Sequence, residues 1–359
     1  MTASAPHVSQ VESLAHGSRR EPTHAKQWHL KFLHAVEAHR SSLGEGVTVA
    51  VLDTGVDAHR DLSPNLLDGT DVIPGGAGDG RRDLNGHGTA MAGLIAASGQ
   101  GGGAMGVAPR SKILPVLVTP ASGSGEADAL ADGIEYALSN GAEIINISSV
   151  GGTSQRLIRA INMALAANVV IVASGGNRPE DSYVGYPASE PGVIAVGGVD
   201  KHGNHAAISV TGPQIDVVAP AVEIYSTGVN GGYRVGTGTS DATAIVAGAA
   251  ALIRSKYPNL PAEEVAHRLT ATAIDKGPPG RDDEYGYGVI DLVAALTADV
   301  PPLGFETPSV TTPPASAAEK DNDTARGLAT LGVLLAAGGG YLVWRRRRRA
   351  DDPPPRISR

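Results

Sequence analysis

Residues 143–177 read EIINISSVGGTSQRLIRAINMALAANVVIVASGGN. Ile144 to Ile147 and Val169 to Val172 are short β-branched runs, apolar nearly throughout, as expected of parallel strands covered on both faces. Between them, Leu157, Ile158, Ile161 and Leu165 draw one apolar stripe along Ser154 to Asn168, the spacing of an amphipathic helix. Strand, helix and strand in that order predict a right-handed crossover between parallel neighbours. The alternation extends outwards. Val47 to Leu52, Ile113 to Val118 and Val193 to Val196 are further strand candidates, and Glu126 to Leu138 carries Leu130, Ile134 and Leu138 at fourfold spacing. From Gly46 to about Leu296 the pattern predicts one α/β domain with a mainly parallel central sheet and helices on both faces.

Composition removes several classes of function. The chain has 359 residues and no Cys, which excludes disulfide frameworks, thiol catalysis and Cys-ligated metals. Only 4 % of residues are aromatic, so the core must rest on Val, Ile, Leu and Ala. The net charge of -8 hides an asymmetry: Arg345 to Arg359 carries seven Arg against two Asp, and the rest is strongly acidic. An acidic body argues against a nucleic-acid partner.

Residues 1–26 are polar, lack the apolar core of a secretory signal and read as a mobile arm. Gln27 to Arg40 predicts a short docking helix with Trp28, Leu30, Phe32, Leu33 and Val36 as its buried stripe. At the other end, residues 298–326 are rich in Pro, Thr, Ser and Ala without periodicity, and read as a linker. Gly327 to Trp344 is uncharged and, as a helix, spans about 27 Å, close to the roughly 30 Å of a bilayer core. Residues 345–359 form a short basic tail whose five leading Arg mark the cytoplasmic side. The chain is therefore expected to be single-pass, with 27–297 as an extracellular domain. Its export would need a signal segment encoded upstream of Met1.

Four polar residues occupy structural junctions. Asp53 ends a strand and begins Asp-Thr-Gly, facing the crevice where parallel sheets place their sites. His87 lies in Asn-Gly-His-Gly-Thr before the small-residue segment Ala90 to Ala97. Ser240 lies in Gly-Thr-Gly-Thr-Ser-Asp-Ala before the apolar segment Ala244 to Ile253. Asn177 follows a strand through Ala-Ser-Gly-Gly. Each alone has an ordinary reading: a turn Asp, a loop His, a helix-capping Ser, a turn Asn. Together, Asp, His and Ser in that order, with an Asn between, match one of the few chain orders that build a nucleophile, a base and its orienter.

VAVLDTGVD, NGHGTAMAG, VASGGN and GTGTSDATAIVAG resemble the four core motifs of the subtilisin-like serine proteases, over about Gln27 to Leu296. GVAP at 106–109 and GYGVI at 286–290 support the likeness. The linker, tail anchor and Gln-Trp start resemble the membrane-anchored mycosin branch, which is linked to type VII secretion. The resemblance implies a three-layer subtilisin-like fold and a peptide or protein substrate, with secretion-system components as further partners. It makes Asp53, His87 and Ser240 the triad and Asn177 the oxyanion donor, with Ser148, Ser174, Gly175 and Gly176 bordering the cleft. Activity should fall as His87 protonates. No cofactor or catalytic metal is implied; structural calcium enters by analogy only, because no Asp-rich loop identifies a site.

The chain departs from the family's pattern at three places. Ala90 stands where a second His is usual, and Ala244 where a Pro is usual. Asn146 to Gly151 carries one extra residue against the family's Asn-x-Ser-Leu-Gly. Two other readings compete. A catalytically silent scaffold with this fold is disfavoured by the filled catalytic positions. A dinucleotide site at Gly99 to Gly106 lacks the strand and the long helix that phosphate binding requires.

Overall fold

The computed structural model describes residues 23–304 except 77 and 122–124. Seven strands form one sheet: β1 (Thr48–Asp53), β2 (Thr70–Asp71), β3 (Lys112–Leu117), β4 (Ile144–Ile147), β5 (Val170–Ser174), β6 (Ile194–Val199) and β7 (Val217–Pro220). Their spatial order is β2-β3-β1-β4-β5-β6-β7, and every pairing is parallel. The chain leaves β1 for one side of the sheet, then crosses to the other side at β4. The carboxyl end of β1 is thus a topological switch point, where crossovers diverge and leave a crevice. Asp53 is its last residue. A separate antiparallel hairpin pairs β8 (Ile224–Thr227) with β9 (Tyr233–Gly236).

The helices are α1 (Trp28–Phe32), α2 (Ala35–Ala38), α3 (His87–Ala96), α4 (Ala127–Ser139), α5 (Gln155–Ala166), α6 (Thr239–Lys256), α7 (Ala262–Ala271) and α8 (Leu292–Thr297). Alternation along β1 sends its side chains to two cores. Val49 and Val51 pack with Met91, Leu94, Ile95, Ile245 and Leu252 of α3 and α6. Ala50 and Leu52 pack with Ile134, Leu157 and Ile161 of α4 and α5. Each of these Val, Leu, Ile or Met side chains removed from water stabilises the fold by about 1.5–3 kcal/mol. α6 is buried nearly all round, which its run of Ala and Gly allows: small side chains let it lie close to both the sheet and α3. Ser154 caps α5 by accepting from Leu157 N–H at 3.1 Å, fixing where that helix begins.

The predicted helix over 27–40 is two short helices, because His34 adopts a left-handed conformation (φ 52°) between them. The break turns Val36 out to 74 % exposure, while Leu30 and Leu33 are buried as expected. Gln27 anchors this region through hydrogen bonds with both backbone groups of Met105, at 2.9 and 2.8 Å. Thr23–Lys26, assigned above to the arm, forms one 3-10 turn. The chain divides into residues 1–305 and 306–359. The second unit, with the predicted span 327–344 and the basic tail, lies outside the described residues. Among the described residues no helix is long and apolar enough to cross a membrane.

Candidate active site

α3 begins against the end of β1, and that contact positions the imidazole. His87 Nδ1 lies 2.8 Å and 2.9 Å from the two carboxylate oxygens of Asp53. Asp53 is buried, and its Oδ1 also accepts from Thr54 N–H at 2.8 Å. The approach depends on Gly88: a Cβ there would lie 2.1 Å from Gly55 O and 3.0 Å from Asp53 Cβ. The loop before α3 is organised by Asp83, which the sequence reading did not single out. Its buried carboxylate accepts from Thr54 Oγ1, Asn85 N–H, Gly86 N–H, Thr89 N–H and Thr89 Oγ1. The only signal was a local one: an Asp two residues before Asn85-Gly86 at a helix start can satisfy first-turn donors, though such an Asp is also common on a surface. Ala90 is fully buried, and its carbonyl accepts from Ser226 Oγ of β8 at 2.7 Å.

Ser240 is the second residue of α6. Its Oγ donates to Ser148 O at 2.9 Å, and Ser148 Oγ donates back to Ser240 O at 3.1 Å. Asn146 Nδ2 donates to Ser148 Oγ at 3.0 Å, so the end of β4 is tied to the start of α6. The Ser240 hydroxyl thus rests on a backbone carbonyl, and no hydrogen bond between it and His87 is present among the described residues. A free hydroxyl takes a good local acceptor. Rotation about χ1 redirects it, and catalytic hydrogen bonds commonly tighten only with substrate bound.

Asn177 is held by the residue before Ser240. Its Oδ1 accepts from Thr239 N–H at 2.9 Å and lies 3.0 Å from Thr239 Oγ1. With the oxygen so occupied, the amide orientation is fixed and the Nδ2 end is left to donate. Ser174 is also spent on this joint: its buried hydroxyl lies 2.7 Å from Thr239 Oγ1. It supports α6 rather than offering a side-chain surface. Ser148, Gly175 and Gly176 are buried.

Asp241 is the second residue that sequence reasoning missed. It is 3 % exposed, its Oδ1 has no hydrogen-bond partner among the described residues, and it follows Ser240 directly. Burial pushes its carboxyl up to about 6, against the charges of Arg234 and His87, which pull it down. Burial also pulls His87 down, but the charge and hydrogen bond of Asp53 outweigh it. Asp241 adds to that effect and Arg234 opposes it, so the His87 pKa is raised. A recess of about 340 Å³ is lined in part by Thr54, Asp71, Asp79, Arg82 and Leu84, and none of Asp53, His87, Asn177 and Ser240 lines it. Among the described residues no group of three or more His, Asp or Glu could hold a metal ion.

A buried carboxylate on an imidazole, and a serine at a helix start beside a fixed amide, are the parts of a hydrolase acting through a serine. The comparisons define the class. Residues 44–288 match the subtilase family, peptidase S8. Subtilisin DY of Bacillus licheniformis is 41 % identical over 257 residues, covering 70 % of this chain and 91 % of that protein. The crystal structure of MycP1 with its N-terminal propeptide removed superposes with a TM-score of 0.69 at 32 % identity, covering 77 % of this chain and 98 % of that one. The MycP3 protease of a type VII (ESX-3) secretion system gives 0.68 at 33 % identity, over 76 % and 88 %. The chain belongs to the subtilase family and is a serine endopeptidase.

Proposed function

We propose that Ser240 Oγ attacks the scissile carbonyl while His87 takes its proton. The observation that carries this reading is the pair of contacts, 2.8 Å and 2.9 Å, from His87 Nδ1 to buried Asp53. They fix the tautomer with hydrogen on Nδ1, which leaves Nε2 as the base. The tetrahedral oxyanion is met by Asn177 Nδ2 and by Ser240 N–H, to which the first turn of α6 offers no acceptor. In a related subtilisin one side-chain donor of this kind contributes about 3–4 kcal/mol. The C–N bond then breaks as His87 returns its proton to the leaving amine. Water repeats the sequence on the acyl-enzyme.

The raised pKa of His87 places the acid limb of activity above the ordinary imidazole value of 6.5. Ser240→Ala should abolish peptide hydrolysis and labelling by a fluorophosphonate while leaving the thermal melt in place. Hydrolysis surviving in that variant would end the assignment of Ser240.

The finer reading is a membrane-anchored, secretion-associated protease, with Gly327 to Trp344 as the anchor and the catalytic unit outside. Its support is the likeness to mycosins together with the uncharged segment and the Arg run after it. Digestion of intact cells by added protease should remove the catalytic unit and spare an epitope at the C-terminus. Protection of the catalytic unit would refute this orientation.

A further inference from the structure

The backbone beside Ser240 and Asn177 determines where the side chain of the residue being cut must go. Ser148, continuing β4, exchanges hydrogen bonds with Ser240 at 2.9 and 3.1 Å. Gly175 and Gly176 continue β5 and lead into Asn177. A carbonyl seated between Ser240 Oγ and Asn177 Nδ2 therefore sends the side chain of its own residue between these two continuations. A third segment closes the far end of that gap. Gly185 N–H donates to Gly175 O at 3.1 Å, and Gly151 N–H donates to Tyr186 O at 3.0 Å. The cross-links hold both walls, so the gap cannot widen cheaply in a close-packed surround.

Val150, half-buried, leans from the first wall onto the third segment. A Cβ placed on Gly185 would lie 2.1 Å from Val150 Cγ1 and 3.1 Å from Val150 Cγ2, so the isopropyl group already rests on the Gly185 backbone. A β-branched side chain has few χ1 positions and does not swing aside readily. We propose that Val150 sets specificity on the acyl side of the cut: it fills the floor of the recess between 148–151 and 175–185, so the enzyme takes Ala, Ser or Gly there and rejects Leu, Phe and Tyr. This inference rests on the roles assigned above to Ser240 and Asn177.

The test uses the full-length protein in detergent and internally quenched peptides that differ only in the acyl-side residue, with active sites counted by a fluorophosphonate. One methylene in a hydrophobic pocket changes kcat/KM by roughly 10–200-fold, so Ala should exceed Phe by at least about tenfold. Val150→Gly should raise the Phe-to-Ala ratio by a similar factor, with Val150→Ala between. A wild-type preference for Phe or Leu, or an unchanged ratio in a fully labelled Val150→Gly, overturns the inference alone. Folded protein that neither labels nor cuts any peptide overturns the assignment of Ser240 and this inference with it. Should Val150→Gly fail to fold, chloromethyl ketones on the wild type decide: faster inactivation by the Ala reagent than by the Phe reagent supports the plug, and the reverse order overturns it.

Discussion

His29 should make this protein acid-labile by an amount that can be isolated. The residue lies in α1, is fully buried, and neither ring nitrogen has a hydrogen-bond partner among the described residues. Burial pushes its pKa down from 6.5 to about 3. A group whose folded pKa is depressed contributes stability that is complete above its unfolded value and is lost as pH falls towards its folded one. At pH 5 the unfolded imidazole is about 1.5 pH units below its pKa, which takes away roughly 2 kcal/mol. By pH 3 the loss approaches roughly 4–5 kcal/mol. His29→Leu removes the titration and also an unsatisfied buried polar group. The variant is made on Ser240→Ala, so that self-cleavage does not intrude, and thermal melts are compared at pH 7.5 and pH 5. At about 2–4 °C per kcal/mol for a domain of this size, the advantage of the variant should grow by about 4–8 °C on acidification. An advantage that is the same at both pH values would refute the claim that His29 is buried neutral and unpartnered.

Asp241 titrates with the opposite sign. Its folded pKa of about 6 is above the ordinary carboxyl value, so its stability contribution is complete at low pH and is lost as pH rises through 6. Asp241→Asn should therefore raise the melting temperature more at pH 8 than at pH 5. It should also move the acid limb of kcat/KM to lower pH, because His87 loses an anionic neighbour; a limb that stays in place would show that Asp241 does not act on the imidazole. Asp83→Ala leaves five donor groups in a buried loop without their acceptor, and each one that water cannot reach costs about 1–3 kcal/mol. A melt lowered by several degrees with weakened fluorophosphonate labelling is expected, and a melt unchanged within a degree would contradict the role given to this carboxylate.

How far the sequence could be read follows from the range of the forces involved. The β4–α5–β5 unit was legible because its apolar runs and its helical stripe are local patterns, and Ser154 marks its own cap. Asp53 was legible as a strand-end carboxylate because β1 is so uniformly apolar. The short strands β2, β7, β8 and β9 were not read. β2 has only two residues, and β8 and β9 mix Tyr, Ser, Thr and Arg without a buried alternation. The break at His34 depends on one residue adopting a left-handed conformation, which composition does not announce. Asp83 and Asp241 are buried only because distant segments close over them. In the linear chain an Asp two residues before Asn-Gly and an Asp in a helical first turn are both ordinary surface choices.

The start of α6 shows why the groups proposed above as catalytic can be so far apart in sequence and still be held together. Three consecutive side chains there face three different elements. Thr239 engages Ser174 and Asn177 at the end of β5. Ser240 engages Ser148 beyond β4. Asp241 interacts with His87 of α3 and Arg234 of β9. About 100° separates successive residues on a helix, so a single turn distributes its side chains around the axis. A rigid, nearly fully buried helix then transmits any displacement at one of these contacts to the other two. Asn177 and Ser240 are thereby kept in register through Thr239. The Asp53–His87 pair is likewise assembled in advance, by Gly88 and Asp83. The Ser240 hydroxyl, in contrast, is held on Ser148 O; in the mechanism proposed above it must turn from that carbonyl towards the imidazole. On that reading, the contacts that hold Asp53 to His87 and Asn177 to Thr239 meet in folding part of the geometric cost that catalysis would otherwise carry.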